Sequence, residues 1–237
     1  MQVNPLSHVL GKLYRAQLEL TPDDGYLRQH SRPEFLDGTV KVFEFYEPHL
    51  PQAGRILDWG CRHAPDACLA RARRPDVEID GCDVHAPGAY PVFLEHARMR
   101  YSQLTHLVKL PYPDATFDAV IASGVLEHVP MDYESLKELH RVLRPEGRLI
   151  VTYLPNRASL EEWRLRRQNA PSHARLYSLR ELRRLFLHAG FRPVVLGYQT
   201  QLDLLPHPST PAALLRPLGI ARFTSCLCAV ASRVSSI

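Results

Sequence analysis

Beyond Pro51, short apolar runs alternate with stretches in which apolar residues recur at helical spacing. Residues 55–58, 77–83, 117–123 and 147–154 read as strands, with 67–73, 91–97 and 133–143 as helices between them. Strands separated by crossover helices pair in parallel, so this texture predicts an α/β domain over residues 51–237. Upstream, Leu6, Val9, Leu10, Leu13 and Leu20 fall near helical spacing within 2–20, as do Phe35, Val40, Phe43 and Phe45 within 34–46. These predict an N-terminal helical flap over residues 1–50. Downstream, two Arg-rich helical segments, 159–169 and 178–188, precede two strand-like runs, 191–199 and 223–232. A Ser178-x-x-Glu181 capping box opens the second helix and Gly190 closes it. The loop between the last two strands contains Pro206, Pro208, Pro211 and Pro217.

A chain of 237 residues, 45% hydrophobic and 23% charged, can bury one large core without metal or cross-links. Its five cysteines, Cys61, Cys68, Cys82, Cys226 and Cys228, are odd in number and sit mostly in apolar, strand-like surroundings. Reduced, packed thiols are expected. No Cys/His pair at zinc spacing accompanies Cys226 and Cys228, and no metal is expected. The longest apolar run, 226–231, is far shorter than the ~20 residues that cross a bilayer. Residues 1–20 lack a signal-peptide apolar stretch, so a cytoplasmic location is expected. The formal charge of +4 is unevenly spread: eight arginines between Arg157 and Arg184 face three glutamates, making that segment +5 and the remainder −1. The basicity therefore belongs to one surface, an Arg-rich helical lid inserted at about 157–177.

In an open α/β sheet, ligands bind beyond the carboxyl ends of the strands. The first strand ends in Asp58-Trp-Gly60-Cys61-Arg62-His63, where Gly60 lets the backbone approach a ligand and the next helix, entered near Pro65, presents unpaired amides. The second ends in Asp83-Val84, an acid about 25 positions later that suits the two hydroxyls of a ribose. Together they suggest a nucleoside ligand. Strand-ending acids also cap helices and turns, so the pair alone is a weak signal.

The third block, Leu110-Pro-Tyr-Pro-Asp114-Ala-Thr-Phe117-Asp118, followed after its strand by Leu126-Glu127-His128, resembles the small-molecule branch of the class I S-adenosylmethionine-dependent methyltransferases. Tyr177-Ser-Leu-Arg-Glu181-Leu and Ala189-Gly-Phe191 match that branch as well, and the resemblance runs from about Arg55 to Arg192. It implies a Rossmann-like, seven-stranded, mostly parallel sheet with helices on both faces. The antiparallel last strand, here 223–232, would lie between the fifth and sixth. It implies S-adenosyl-L-methionine as cofactor, with Asp58 and Gly60 flanking its methionine portion and Cys61 and Arg62 in the same turn. Asp83, followed by Val84, would bind the ribose, Leu107 would offer backbone to the adenine, and Ser123 would lie near the transferring methyl. Two positions depart from the family pattern. Arg62 and Ala64 stand where the glycine-rich turn has glycines, so Arg62 either pairs the cofactor's carboxylate or obstructs it. Thr105 or His106 stands where an adenine-contacting acid is common.

Methyl transfer from a sulfonium is an in-line displacement that needs chiefly alignment and exclusion of water. For a hydroxyl acceptor a general base helps; His128 is the first candidate and His173, in the lid, the second, with Glu127 orienting its neighbours. The fourth strand lacks the Asn/Asp-Pro-Pro-aromatic phrase of enzymes that methylate flipped bases. A small-molecule or glycan-like acceptor is therefore favoured over nucleic acid. The basic lid suits an anionic acceptor or a peripheral membrane contact, and equally a solvated helix face. The competing expectation is a non-catalytic binding protein that keeps the fold.

Overall fold

A computed structural model describes residues 4–199 and 226–234. Three helices, α1 (Pro5–Leu20), α2 (Gly25–His30) and α3 (Pro33–Tyr46), precede β1 (Gly54–Trp59). There follow α4 (Pro65–Arg73), β2 (Val77–Asp83), α5 (Pro91–Ala97), β3 (Arg100–Gln103), β4 (Phe117–Ser123), α6 (Asp132–Val142) and β5 (Leu143–Pro155). The chain continues through α7 (Leu160–Arg167), α8 (Leu179–His188), β6 (Phe191–Gln199) and β7 (Cys226–Arg233). The strands form one seven-stranded sheet in the order β3-β2-β1-β4-β5-β7-β6. Its pairings are parallel except where β7 runs antiparallel between β5 and β6, the topology that the resemblance implies. The four loop prolines and the first three residues of the expected 223–232 strand lie outside the described residues.

Alternation along the strands builds a three-layer core. Ile56, Ile79, Ala119, Ile121, Ile150 and Val230 share one buried cluster with α1, α3, α4 and α5. Leu57, Val120, Ala122, Leu149, Val151 and Ala229 share the other with α6 and α8. The N-terminal helices thus pack into the same apolar cluster as β1 and β4. Asn4 accepts the Leu6 amide at the start of α1, where Pro5 sacrifices no helical hydrogen bond.

Two elements differ from expectation. β3 has no fully buried residue and no apolar run, so it lacked the pattern that marks a strand, and its pairing with β2 places it. α2 is six residues long, held by its Asp24 cap and the buried Leu27. Across β1, β2 and β3, the buried Asp80 accepts two hydrogen bonds from Arg55 at 2.7 and 2.8 Å and a third from Arg100 at 2.9 Å. Among the described residues no helix is long and apolar enough to cross a membrane.

Candidate active site at the carboxyl edge of the sheet

The turn after β1 keeps a glycine-like path with few glycines. Gly60 has φ +69°, and a Cβ there would come within 2.6 Å of Val125 Cγ2, so this close approach to the loop after β4 needs glycine. Arg62 and Ala64 also adopt left-handed backbone, at φ +44° and +57°, which costs an L-residue roughly 1–2 kcal/mol each. The Arg62 amide donates to Asp83 Oδ2 at 2.8 Å, tying the ends of β1 and β2 together. Its guanidinium stacks 3.6 Å from the centre of the Tyr26 ring in α2. Asp83 Oδ1 accepts from the His85 amide at 3.2 Å and lies 2.6 Å from His85 Nδ1. Cys61 is buried with its sulfur toward Gly81, so it can offer a ligand only its backbone.

His63, in the same turn, is sealed in an aromatic cage. Its ring lies 5.2–5.9 Å from those of Tyr14, Tyr26, Tyr90 and Phe93, and its Nε2 shares a 2.5 Å hydrogen bond with the Tyr14 hydroxyl. Burial, with His30 and Arg62 nearby, pushes its pKa down to about 3, so it is neutral at physiological pH. This contact clamps α1 and α2 onto the β1 turn.

Beneath the turn sits a buried acidic pair. Asp58 is 2% exposed, accepts the Ala67 amide, and has no hydrogen-bond partner for Oδ2 among the described residues. Burial, then the neighbouring Asp66, raises its pKa well above the ordinary carboxylate range. Burial raises Asp66 too, against the opposing hydrogen bonds from Tyr46 and Ser123. The Ser123 and Thr152 hydroxyls are 2.7 Å apart, so this network joins α3, α4, β4 and β5. Ser123, expected near the methyl, is half-buried and joined to this network.

A second constellation lies beyond β4. Glu127 is 8% exposed, and burial raises its pKa to about 7. His128 Nε2 stands 3.7 Å from Glu127 Oε1, and the His128 and His173 rings are 5.9 Å apart. Burial and His173 lower the His128 pKa, leaving it neutral and able to accept a proton. His173 arrives from the segment after α7, where Arg175 donates to the Val129 and Pro130 carbonyls at 2.7 and 3.0 Å and pins that segment to the β4 loop. Behind it, His173 Nδ1 lies 2.6 Å from Glu162 Oε1. The two candidate bases, distant in sequence, thus meet.

Val84 and Leu107, at 67% and 69% exposure, lie on the surface beside the ends of β2 and β3. His106 Nδ1 accepts the Val108 and Lys109 amides at 3.0 and 2.8 Å and so shapes its own loop. Residues overlooked in the sequence are Asp66, Tyr26, Thr152 and Glu162. Only Asp66, directly after the Pro that opens α4, carried a local signal, whereas Glu162 reaches His173 across 11 positions. Most of the eight arginines between Arg157 and Arg184 make contacts within the protein. Arg157 pairs with Glu181, Arg164 with Glu161, Arg166 donates to the His173 carbonyl, and Arg167 stacks on Trp163.

Known proteins share this domain and this fold. The model of a methyltransferase-domain family matches residues 28–196. The demethylmenaquinone methyltransferase of Thermus thermophilus is 38% identical over 107 residues, covering 43% of this chain and 47% of that protein. The 27-O-demethylrifamycin SV methyltransferase of Amycolatopsis mediterranei is 31% identical over 137 residues, covering 53% of this chain and 49% of that protein. The chain spans about half the length of these curated relatives. Phosphoethanolamine N-methyltransferase 2 of Haemonchus contortus, solved with S-adenosyl-L-methionine, superposes with a TM-score of 0.60 over 83% of this chain and 53% of that one. At 16% identity, that likeness shows the fold alone. With the family model covering most of the chain and the strands in the order β3-β2-β1-β4-β5-β7-β6, the chain belongs to the class I S-adenosylmethionine-dependent methyltransferases.

Proposed function

We propose that this chain transfers a methyl group from S-adenosyl-L-methionine to an oxygen of a small-molecule or glycan-like acceptor. The observation that carries this reading is the common edge: the Gly60–Arg62 turn, with its amide on Asp83, adjoins the β4 loop that holds Glu127 and His128. The residues fit the cofactor's chemistry. The unpartnered Oδ2 of Asp58 suits an ammonium donor, Asp83 suits ribose hydroxyls, and the Arg62 guanidinium suits a carboxylate. Gly60, Cys61, Val84 and Leu107 would line the cofactor with backbone or apolar surface, and Ser123 would hold the Asp66 network below it.

The cofactor supplies an electrophilic methyl on a sulfonium, so the chain's own work is alignment and proton management. His128, neutral and exposed, takes the acceptor hydroxyl proton at Nε2, and the adjacent Glu127 carboxylate stabilises the imidazolium that results. His173, held by Glu162 in a segment that Arg175 ties to the β4 loop, stands on the other side of His128. An oxygen acceptor is supported by the O-demethylated substrate in the name of the Amycolatopsis relative. Calorimetry tests the reading: S-adenosyl-L-methionine should bind at one site, and Asp83→Asn should weaken it by roughly ten- to a hundredfold, the loss of about 1.5–3 kcal/mol of charged hydrogen bonding. No measurable binding of cofactor or of its demethylated product would sink it.

A second reading, a binding protein that retains the fold, is favoured by one observation, the bulky Arg62 at a turn position where the family has glycine. It predicts that Arg62→Gly creates cofactor binding where the natural chain has none.

A further inference from the structure

Three ligand-type side chains from two distant stretches of the chain converge beyond β4. Glu127 and His128 follow that strand, His173 comes from the lid, and one ligand atom from each lies within 4.8 Å of the other two. Two observations go beyond proximity. Glu127 is 8% exposed and its Oε2 has no hydrogen-bond partner among the described residues, although an unpaired buried acceptor costs about 1–3 kcal/mol. His173 Nδ1 lies 2.6 Å from Oε1 of Glu162, a residue itself 6% exposed. A carboxylate on one ring nitrogen orients the imidazole and leaves the other nitrogen free and more basic, which is the support found behind metal-bound histidines.

We propose that Glu127, His128 and His173 bind a first-row divalent cation of the zinc class. Two imidazoles and a carboxylate match that ion's borderline ligand preference and leave a position open, whereas magnesium and calcium favour oxygen cages. Ligand atoms around a tetrahedral zinc stand roughly 3.3 Å apart, given bonds near 2.0 Å. The cluster therefore has to contract, and His128, with its side chain 67% exposed, has room to swing inward. For the acceptor, the inference rests on the oxygen-methylation reading above: the open position is where that oxygen would coordinate. With the cation bound, His128 is a ligand and not the base: the cation lowers the pKa of the coordinated acceptor hydroxyl, whose proton leaves to bulk water before the oxygen takes the methyl from the sulfonium.

The test is calorimetric titration of the chelator-treated 237-residue chain with Zn2+ alone, without S-adenosylmethionine. One equivalent should bind. The dissociation constant should rise roughly tenfold or more in Glu127→Gln, in His128→Asn and in His173→Gln, and by about tenfold in Glu162→Gln. It should stay unchanged in Cys226→Ser/Cys228→Ser. His128 is exposed, so its variant tests the site without burdening the fold. Co2+ in place of zinc should show visible d–d bands with no near-ultraviolet thiolate band. Absence of saturable binding, undiminished affinity in the ligand variants, or a thiolate band would each overturn the proposal. Neither readout uses the cofactor, so a chain that binds zinc but not S-adenosylmethionine refutes the methyl-transfer reading alone. Undiminished methyl transfer after metal removal, with no zinc binding, refutes this inference alone.

Discussion

Arg62 and His63 are neighbours in one turn with opposite duties. Arg62 holds φ +44° without being glycine, so the turn stores strain that its side chain offsets by stacking on Tyr26 and its amide by binding Asp83. Arg62→Gly should therefore be about 1 kcal/mol more stable than Arg62→Ala in urea denaturation, because both lose the guanidinium but only alanine keeps the Cβ penalty. Equal midpoints would show that the turn relaxes. His63 sets a pH dependence. Its native pKa of about 3 lies below the unfolded value near 6.5, so its contribution is fully present above pH ~6.5 and is lost as pH falls toward the native value. Asp58 and Asp66, raised in the native state, act in the opposite sense, since their cost is relieved as pH falls. Measured as the difference between the natural chain and His63→Gln, which carries both acids equally, stability should decline by up to about 1.4 kcal/mol per pH unit between pH ~6.5 and ~4. Parallel curves would mean that His63 is not held neutral. The strand-ending acids and Gly60 were legible as residues; the His63 cage was not, because its walls come from α1, α2 and α5 and the segment before α5.

Elements whose burial follows a simple period were readable in the chain. β2, β4, β6 and α5 occupy the predicted residues, and the Ser178–Glu181 capping box opens α8 as its spacing announced. β3 was not readable, because an edge strand with a polar face has no apolar alternation and its existence depends on β2. The arginine cluster around Asp80 binds that edge. Asp80→Asn should cost about 1–3 kcal/mol, less than a fully buried pair would, because Arg55 and Arg100 keep 31% and 55% side-chain exposure. A denaturation midpoint equal to that of the natural chain would show that the edge is held by backbone pairing alone.

At the scale of the molecule, the N-terminal helices join the core layer that supports the β1 turn. Leu6, Leu10, Leu13 and Tyr14 of α1 are all buried, each contributing roughly 1.5–3 kcal/mol, a sum comparable to the usual net stability of about 5–15 kcal/mol. A chain beginning at residue 21 should lack a cooperative thermal transition; melting at the natural temperature would make α1 peripheral. The positive excess between Arg157 and Arg184, prominent in the sequence, is largely engaged with Glu161, Glu181, Trp163 and backbone carbonyls, contacts that charge counting does not record. The sequence by itself determined the α/β class, the acids and glycine at the strand ends and the family phrase around β4. Each of these is written in local period or in contiguous residues. Only the tertiary structure decided that Glu162 and Arg175 carry His173 to His128 and Glu127, and that Tyr14 and Tyr26 close over the β1 turn. Those contacts span 11 to 49 positions, and a side chain's partner at such separation is chosen by how the layers pack, which no local pattern records.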